Sequence, residues 1–473
     1  MSFARTPAEL RPALLALLMA GAAPAAGAMT LSEAWQRAQA TDPVAVAAAA
    51  TRDADREAGV QERATRLPRV DASGSYNNTD SEVVSTPFSA TGFQERYNSW
   101  NAGVELRQPV FRYDWLARGR RADARDQQAE LGYVQRSQAL ISRVAERYLG
   151  VLKAGNELNL ASAEADAVRK SLSDTRKRYE VQLVPGTDLK EAQARDDLAQ
   201  ARLLSARQDV EAAQDALDET TGNGRAPLSV LAPTARLPML DSTDPEVWVA
   251  RARENSPAWR QALASHEVAR ADVESRRSEA LPVVDLVASH SRQDGSESRV
   301  GSESNSTVVG VEIKAPLFSS GAGRSKVREA QARLRAADAE RDRVERELLR
   351  DTRRLVRDVE TARAQAAAYQ RAADSAQAAE QATRYGYEAG KRTITDVLNA
   401  QSNTVQARRN LDQSRYDSVL KTLQLKQEVG LLSPDDLAAI DQLLTPAPAT
   451  EPVAEPAAVS VAGTPAAAAA QTP

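Results

Sequence analysis

"AGKRTITDVLNAQ", residues 389–401, interrupts a long tract of Ala, Arg, Glu and Gln that otherwise reads as continuous helix. A Gly-Lys-Arg step breaks the pattern, and the helix restarts on Thr-Asp. A second stretch, "VQLVPGTDLKEAQA" at 181–194, carries the same Thr-Asp-apolar step followed by the same Ala-Gln, 208 positions earlier. A break that recurs at a fixed offset predicts a duplicated architecture in which each half ends in a helix–turn–helix tip.

Other landmarks recur with it. Asp42-Pro43 matches Ser256-Pro257, and "LPRVD" at 67–71 matches "LPVVD" at 281–285, both 214 apart. "GVELRQPVF" at 103–111 matches "GVEIKAPLF" at 310–318, 207 apart. The offset changes only between the LP and PVF landmarks, where a loop absorbs the difference. Each half therefore runs helix, strand, loop, strand, long helix, break, helix. The expected organisation is an export segment at 1–28, repeat one at 29–222, a linker or equatorial segment at 223–243, repeat two at 244–444 and a disordered Ala/Pro-rich tail at 445–473.

Composition suits long helices joined by narrow seams. Of 473 residues 27% are charged and only 4% aromatic, which favours coiled coils over a thick globular core. A net charge of −4, with both signs interleaved, gives no footprint for nucleic acid. With no cysteine, disulfides, thiolate metal sites and an N-terminal lipid-modified cysteine are excluded. Arg5 and Arg11, the apolar run "PALLALLMA" and Ala26-Gly27-Ala28 fit a cleavable signal peptide. No later segment has the unbroken apolar run of a transmembrane helix.

The strands are few but clear. Trp100, Ala102, Val104 and Leu106 alternate with Asn101, Gly103, Glu105 and Arg107; Val309, Val311 and Ile313 alternate with Gly310, Glu312 and Lys314. Segments 69–79 and 283–293 are their expected partners. Eight of twenty aromatics lie between Tyr76 and Trp115. Tyr97, Trp100, Phe111, Tyr113 and Trp115 are the candidates for a membrane-interface girdle. A small soluble sheet is the alternative. If the strands span a membrane, the sheet must close, and four strands cannot close alone because about eight are needed. Several chains would then share one barrel. Long helices without a bulky core must pack side by side, leaving the breaks at 182–187 and 390–393 as turns at a far tip.

The duplicated halves, the "LP" and "QPVF/APLF" landmarks and "YEAGKRTITDVLNAQ" at 387–401 resemble the TolC family of outer-membrane efflux and secretion channels, over residues 29–444. The resemblance implies a mostly α fold: a homotrimer whose four strands per chain form one twelve-strand β-barrel, continued by a coiled-coil α-barrel across the periplasm. It implies a passive duct opened by a periplasmic adaptor (membrane fusion protein) and an inner-membrane pump of the ABC, RND or MFS type. It places Asp396 at the periplasmic constriction, with Asn399 where some members carry a second acid. It also implies a closed-state lock in which Tyr387 and Arg392 bond toward Thr187 and Asp188. Gln182 stands where the first turn often has Gly, so Pro185-Gly186 is expected to take over the turn.

Blander readings compete. Asp396 fits a helix cap beside the N-terminal dipole. The basic cluster "RYDWLARGRR" at 112–121 is either a solvated helix start or a contact with lipid headgroups. "GYEAGKR" at 386–392 has the wrong glycine spacing for a phosphate loop, and Arg392 where Ser or Thr would bind magnesium. His266 and His290, 24 apart, lack a matching partner. No enzyme, cofactor or metal is expected. The rival function is a soluble periplasmic adaptor, which needs only one helical hairpin.

Overall fold

The computed structural model describes residues 28–83, 93–222, 226–232, 235, 237–295 and 303–445. Residues 1–27 of the expected export segment and 446–473 of the expected tail lie outside them. In chain order the elements are α1 (Leu31–Thr41), α2 (Pro43–Ala64), β1 (Arg69–Val83), β2 (Phe93–Phe111), α3 (Trp115–Glu180), α4 (Gly186–Thr221) and β3 (Val230–Leu231). The second half follows with α5 (Pro245–Asn255), α6 (Pro257–Ser278), β4 (Val283–Asp294), β5 (Glu303–Lys314), α7 (Ala322–Glu388), α8 (Ile394–Val429), α9 (Pro434–Asp441) and β6 (Leu444–Thr445).

The 66 residues of α3 and 67 of α7 each extend about 100 Å at 1.5 Å per residue. α3 packs against α4, and α7 against α8. Small residues allow the close approach: Ala192, Ala199 and Ala206 are buried at seven-residue spacing on α4. Among the described residues, bulkier packing concentrates in two clusters midway along the helices. One joins Leu31 of α1, Ile141, Tyr148 and Leu149 of α3, Val419 and Leu423 of α8, and Leu437 of α9. The other joins Trp248 of α5, Leu348, Val356 and Val359 of α7, and Leu425 of α8.

The segment expected as a linker or equatorial piece packs in this middle region. β3 pairs antiparallel with β6, and Met29 bridges to Leu228. The Tyr148 hydroxyl lies 2.8 Å and 2.9 Å from the Met29 and Ser229 carbonyl oxygens, to which it donates. Its burial pushes the phenol well above its ordinary pKa. Thr445, expected to open the tail, is instead the last paired residue of β6; the backbone partner at Val230 accounts for the difference.

The four long strands form one antiparallel sheet in the order β1-β2-β4-β5. Its registers put apolar side chains on one face toward the helices, whereas farther out the same face carries Asp80, Arg96, His290, Arg292, Asp294 and Glu303. Val70, Ala72, Tyr76, Trp100, Val104, Leu106, Ala288, Val309 and Val311 share one face. The other carries Ser73, Asn101, Glu105, Arg107, Ser289 and Glu312. At its base Arg107 reaches Glu105 (2.9 Å), Glu312 (2.5 Å) and buried Asp285 (3.5 Å). An apolar face opposite a polar one is the pattern of a barrel with lipid outside and water inside. A bulge between Pro109 and Phe111 returns Phe111 to the apolar side. There it meets Tyr113 edge-on, with ring centroids 6.4 Å apart. Tyr97 departs from the girdle expectation: its register opposite Thr79 puts it on the opposite face from Trp100, whereas Tyr76 lies directly across from Trp100. Trp115 opens α3 and is only partly exposed.

The basic cluster is ion-paired within the chain. Arg112 pairs with Asp285 (3.5 Å), Arg118 with Asp114, Arg120 with Glu274 (2.9 Å), and Arg121 with Glu62 (2.8 Å) and Asp272 (3.1 Å). These pairs tie α2, α3 and α6 together just below the sheet.

Candidate functional site

The two helix–turn–helix tips lie at the ends of α3/α4 and α7/α8, farthest along the helices from the sheet. Both use one backbone device. At the first, the Leu183 N–H donates to Arg178 O (2.8 Å) and the Gln182 N–H to Tyr179 O (2.9 Å). At the second, the Lys391 N–H donates to Gly386 O (2.8 Å) and the Gly390 N–H to Tyr387 O (2.9 Å). These are paired Schellman closures, which need a left-handed residue. Gly390 supplies it at φ +71°, and Gln182 supplies it at φ +57°. Pro185-Gly186 does not take over the turn. Pro185 is the N-cap of α4 and Gly186 is already helical.

The tips differ in how their second helices begin. Thr393 and Asp396 form a reciprocal capping box: the Asp396 N–H donates to Thr393 Oγ1 (3.2 Å), and the Thr393 N–H donates to Asp396 Oδ2 (2.9 Å). These bonds from Thr393, helped by nearby Arg392, hold the Asp396 carboxyl below the usual carboxylate range. At the matching position Pro185 has no N–H, so Asp188 lacks that bond and instead lies 3.4 Å from the Thr187 hydroxyl.

Within one chain, no hydrogen bond among the described residues joins Tyr387 or Arg392 to Thr187 or Asp188. Tyr387 is engaged through its ring: the Arg178 guanidinium sits 5.0 Å from the ring centroid, linking α3 to α7. Arg392 lays its methylenes over Gly386, where a Cβ would fall 2.9 Å from Arg392 Cγ. Its guanidinium has no hydrogen-bond or ion-pair partner among the described residues. Asn399 accepts a hydrogen bond from Arg195 of α4 (3.1 Å), which also pairs with Glu191. Both border a cavity of about 450 Å3 between the two coiled coils, where Arg202 meets Glu164 at 2.9 Å. Sequence reasoning missed Arg178 and Arg195. For Arg195 the signal was available: Arg195 and Arg202 stand seven apart, in step with the Ala seam.

With the duplicated hairpins, the two-faced sheet and the twin tips in place, the comparison with known families is decisive. The profile described as "Outer membrane efflux protein" matches residues 34–223 and 248–431, one block in each half. The chain belongs to that family.

Its relatives span nearly its whole length. It is 30% identical over 439 residues to the outer membrane protein TolC of Vibrio cholerae, covering 92% of this chain and 98% of the relative. It is 30% identical over 420 residues to the alkaline protease secretion protein AprF of Pseudomonas aeruginosa, covering 87% of each. Among solved structures, the CmeC outer membrane channel of Campylobacter jejuni superposes with a TM-score of 0.74 at 16% identity, covering 87% of this chain and 89% of that one. The fold is thus that of an outer-membrane channel subunit, and the family's members are channels of the outer membrane rather than enzymes. Among the described residues, no helix is long and apolar enough to cross a membrane; the sheet is the element with a lipid-compatible face.

Proposed function

We propose that the chain forms a homotrimeric channel-tunnel, a passive exit duct for small molecules, secreted proteins or both, with no enzymatic activity of its own. Three sheets close one twelve-strand barrel in the outer membrane. The paired helices continue the duct into the periplasm after export through a cleaved signal peptide. A periplasmic adaptor and an inner-membrane ABC, RND or MFS pump recruit and open it. The observation that carries this reading is the sheet: four antiparallel strands whose outer face is apolar toward the helices, with one free edge on β1 and one on β5 among the described residues, mounted on helices of about 100 Å. A soluble adaptor has no need of two hairpins joined in such a sheet.

The tips form the closed end. Three Asp396 carboxylates around one axis repel each other and attract cations, biasing the entrance toward them. The cap and the gate are compatible, because the cap bond holds Oδ2 and fixes where the charge stands. Arg392, with no hydrogen-bond or ion-pair partner among the described residues, would bond Thr187 and Asp188 of an adjoining tip. The test is planar-bilayer conductance of the purified mature protein and of Arg392→Ser. The expected result is a small cation-preferring conductance that rises several-fold in the variant. An unchanged conductance would remove Arg392 from the lock, and no conductance from inserted, folded protein would remove the channel.

A further inference from the structure

Thr445, the last described residue, stands at the mouth of a long groove. It borders a cavity of about 530 Å3 together with Asn156, Asp412 and Tyr416. A cavity of about 270 Å3 follows between α3 and α8, and then the cavity of about 450 Å3 near the tips. Leu160 lines all three, so they form one continuous groove from the middle region toward the tips.

The groove has an apolar floor and basic walls. Leu160, Leu198, Leu398 and Val405 make the floor, and Leu198 is 60% exposed. Seven basic side chains line the groove against five acidic ones. Lys153, Arg408 and Arg415 have no ion-pair partner among the described residues. Arg408 bonds only the Gln377 amide (3.1 Å), and Arg415 the Ala232 carbonyl. Asp209 and Asp412 also lack an ion-pair partner, but burial pushes the Asp412 carboxyl above its ordinary range.

The chain that leaves Thr445 has the complementary composition. Residues 446–473 carry Glu451 and Glu455, no basic residue, and Pro446, Pro448, Pro452 and Pro456 among Ala and Val. Proline presets such a sequence toward an extended form that loses little entropy on docking. We propose that residues 446–456 dock in this groove of their own chain, with prolines and Val453 on the apolar floor and Glu451 toward Arg408. The reach fits. Extended chain from Thr445 to Glu451 covers about 19 Å, whereas α8 rises only about 12 Å between Tyr416, beside Thr445, and Arg408. So placed, the segment ties α3 to α8 across the seam between the two coiled coils. The contact lies within one chain and does not depend on the channel reading.

The cysteine-free chain makes the contact directly measurable. Full-length protein carrying Val453→Cys with Ser402→Cys is oxidised, digested with trypsin and read by mass spectrometry for the linked peptides. Ser402 lines the groove about 21 Å along α8 from Tyr416, and Val453 lies about 25 Å of extended chain from Thr445. Val453→Cys with Asn403→Cys, one position on and outside the groove lining, is expected to link at least tenfold less. Equal linking of the two pairs would mean a freely swinging segment and overturns the docking. Covalent dimers from the first pair would seat the segment on another copy and overturn it as well. Adding Glu451→Lys and Glu455→Lys is expected to cut linking about fivefold, and unchanged linking would overturn the pairing with Arg408. A second readout needs no disulfide. Ser402→Cys alone is expected to react with a maleimide at least threefold more slowly in the full chain than in one ending at Thr445, which keeps β6. Equal rates would show the groove open to a partner protein and remove this segment as its occupant.

Discussion

The two tips share a backbone and differ in chemistry. Each closes with the same pair of 5→2 and 6→1 bonds, 208 positions apart. Yet the first presents Val181 and Leu183, 65% and 74% exposed, while the second presents Lys391 and Arg392 and a capped Asp396. Duplication copied the turn, and divergence then gave one tip an apolar surface and the other a fixed set of charges. A turn held by main-chain bonds constrains little beyond one left-handed residue, so its outer side chains were free to specialise.

Making the second tip resemble the first is the strongest test. Thr393→Pro copies Pro185 into a turn already known to accept it, and removes both the N–H and the hydroxyl that hold the Asp396 carboxylate. A carboxyl whose pKa is held down in the folded state stays charged below the ordinary value of about 3.9. Its effect is present above that value and fades as pH falls through the lowered one. Cation preference, read as reversal potential against pH, is therefore expected to persist below pH ~4 in the parent. In Thr393→Pro it is expected to disappear near the ordinary carboxylate range. Coincident profiles would mean that the Thr393 bonds do not set the charge. The start of α8 is also expected to exchange amide hydrogens several-fold faster in the variant.

The left-handed residues give the next largest effects, of opposite sign. Gly390→Ala places a Cβ where φ is +71° and is expected to destabilise the turn by about 1 kcal/mol, about fivefold faster exchange of the Lys391 amide. Gln182→Gly removes strain at φ +57°, but the freer unfolded chain offsets part of the gain. A slowing of about twofold at Leu183 is expected. Equal responses at both tips would show that strain at Gln182 is relieved elsewhere.

Much of this was legible in sequence, for definite reasons. The repeats, the strand alternation and the helical breaks are local patterns, and local patterns survive without coordinates. The alternation of Trp100 through Leu106 even contained the answer for Tyr97, whose odd position places it with Asn101 and Glu105; clustering of aromatics was the weaker guide. The role of Gln182 was only half legible: the 208 offset aligns it with Gly390, but its residue type argues against a left-handed backbone and pointed instead to Pro185-Gly186. The partners of Asn399 and Tyr387 lie 204 and 209 positions away, and such pairings depend on how two coiled coils rotate against each other.

Tyr387 sets the smallest and sharpest test. The family resemblance assigns it a hydrogen bond toward Thr187 and Asp188, which needs the hydroxyl. The contact with Arg178 needs only the ring face, since the quadrupole attracts the guanidinium. Tyr387→Phe removes the first interaction and keeps the second, whereas Tyr387→Leu removes both. If the ring contact holds the tip, resting conductance is expected to be unchanged in Tyr387→Phe and to rise about twofold in Tyr387→Leu, with Arg178→Ala matching the latter. An exposed cation–π contact is worth only about 0.5–1 kcal/mol, so the rise is expected to stay below that of Arg392→Ser. A rise in Tyr387→Phe equal to that in Tyr387→Leu would instead assign the tip to the hydroxyl, and would make Arg178 a bystander on the first tip's side.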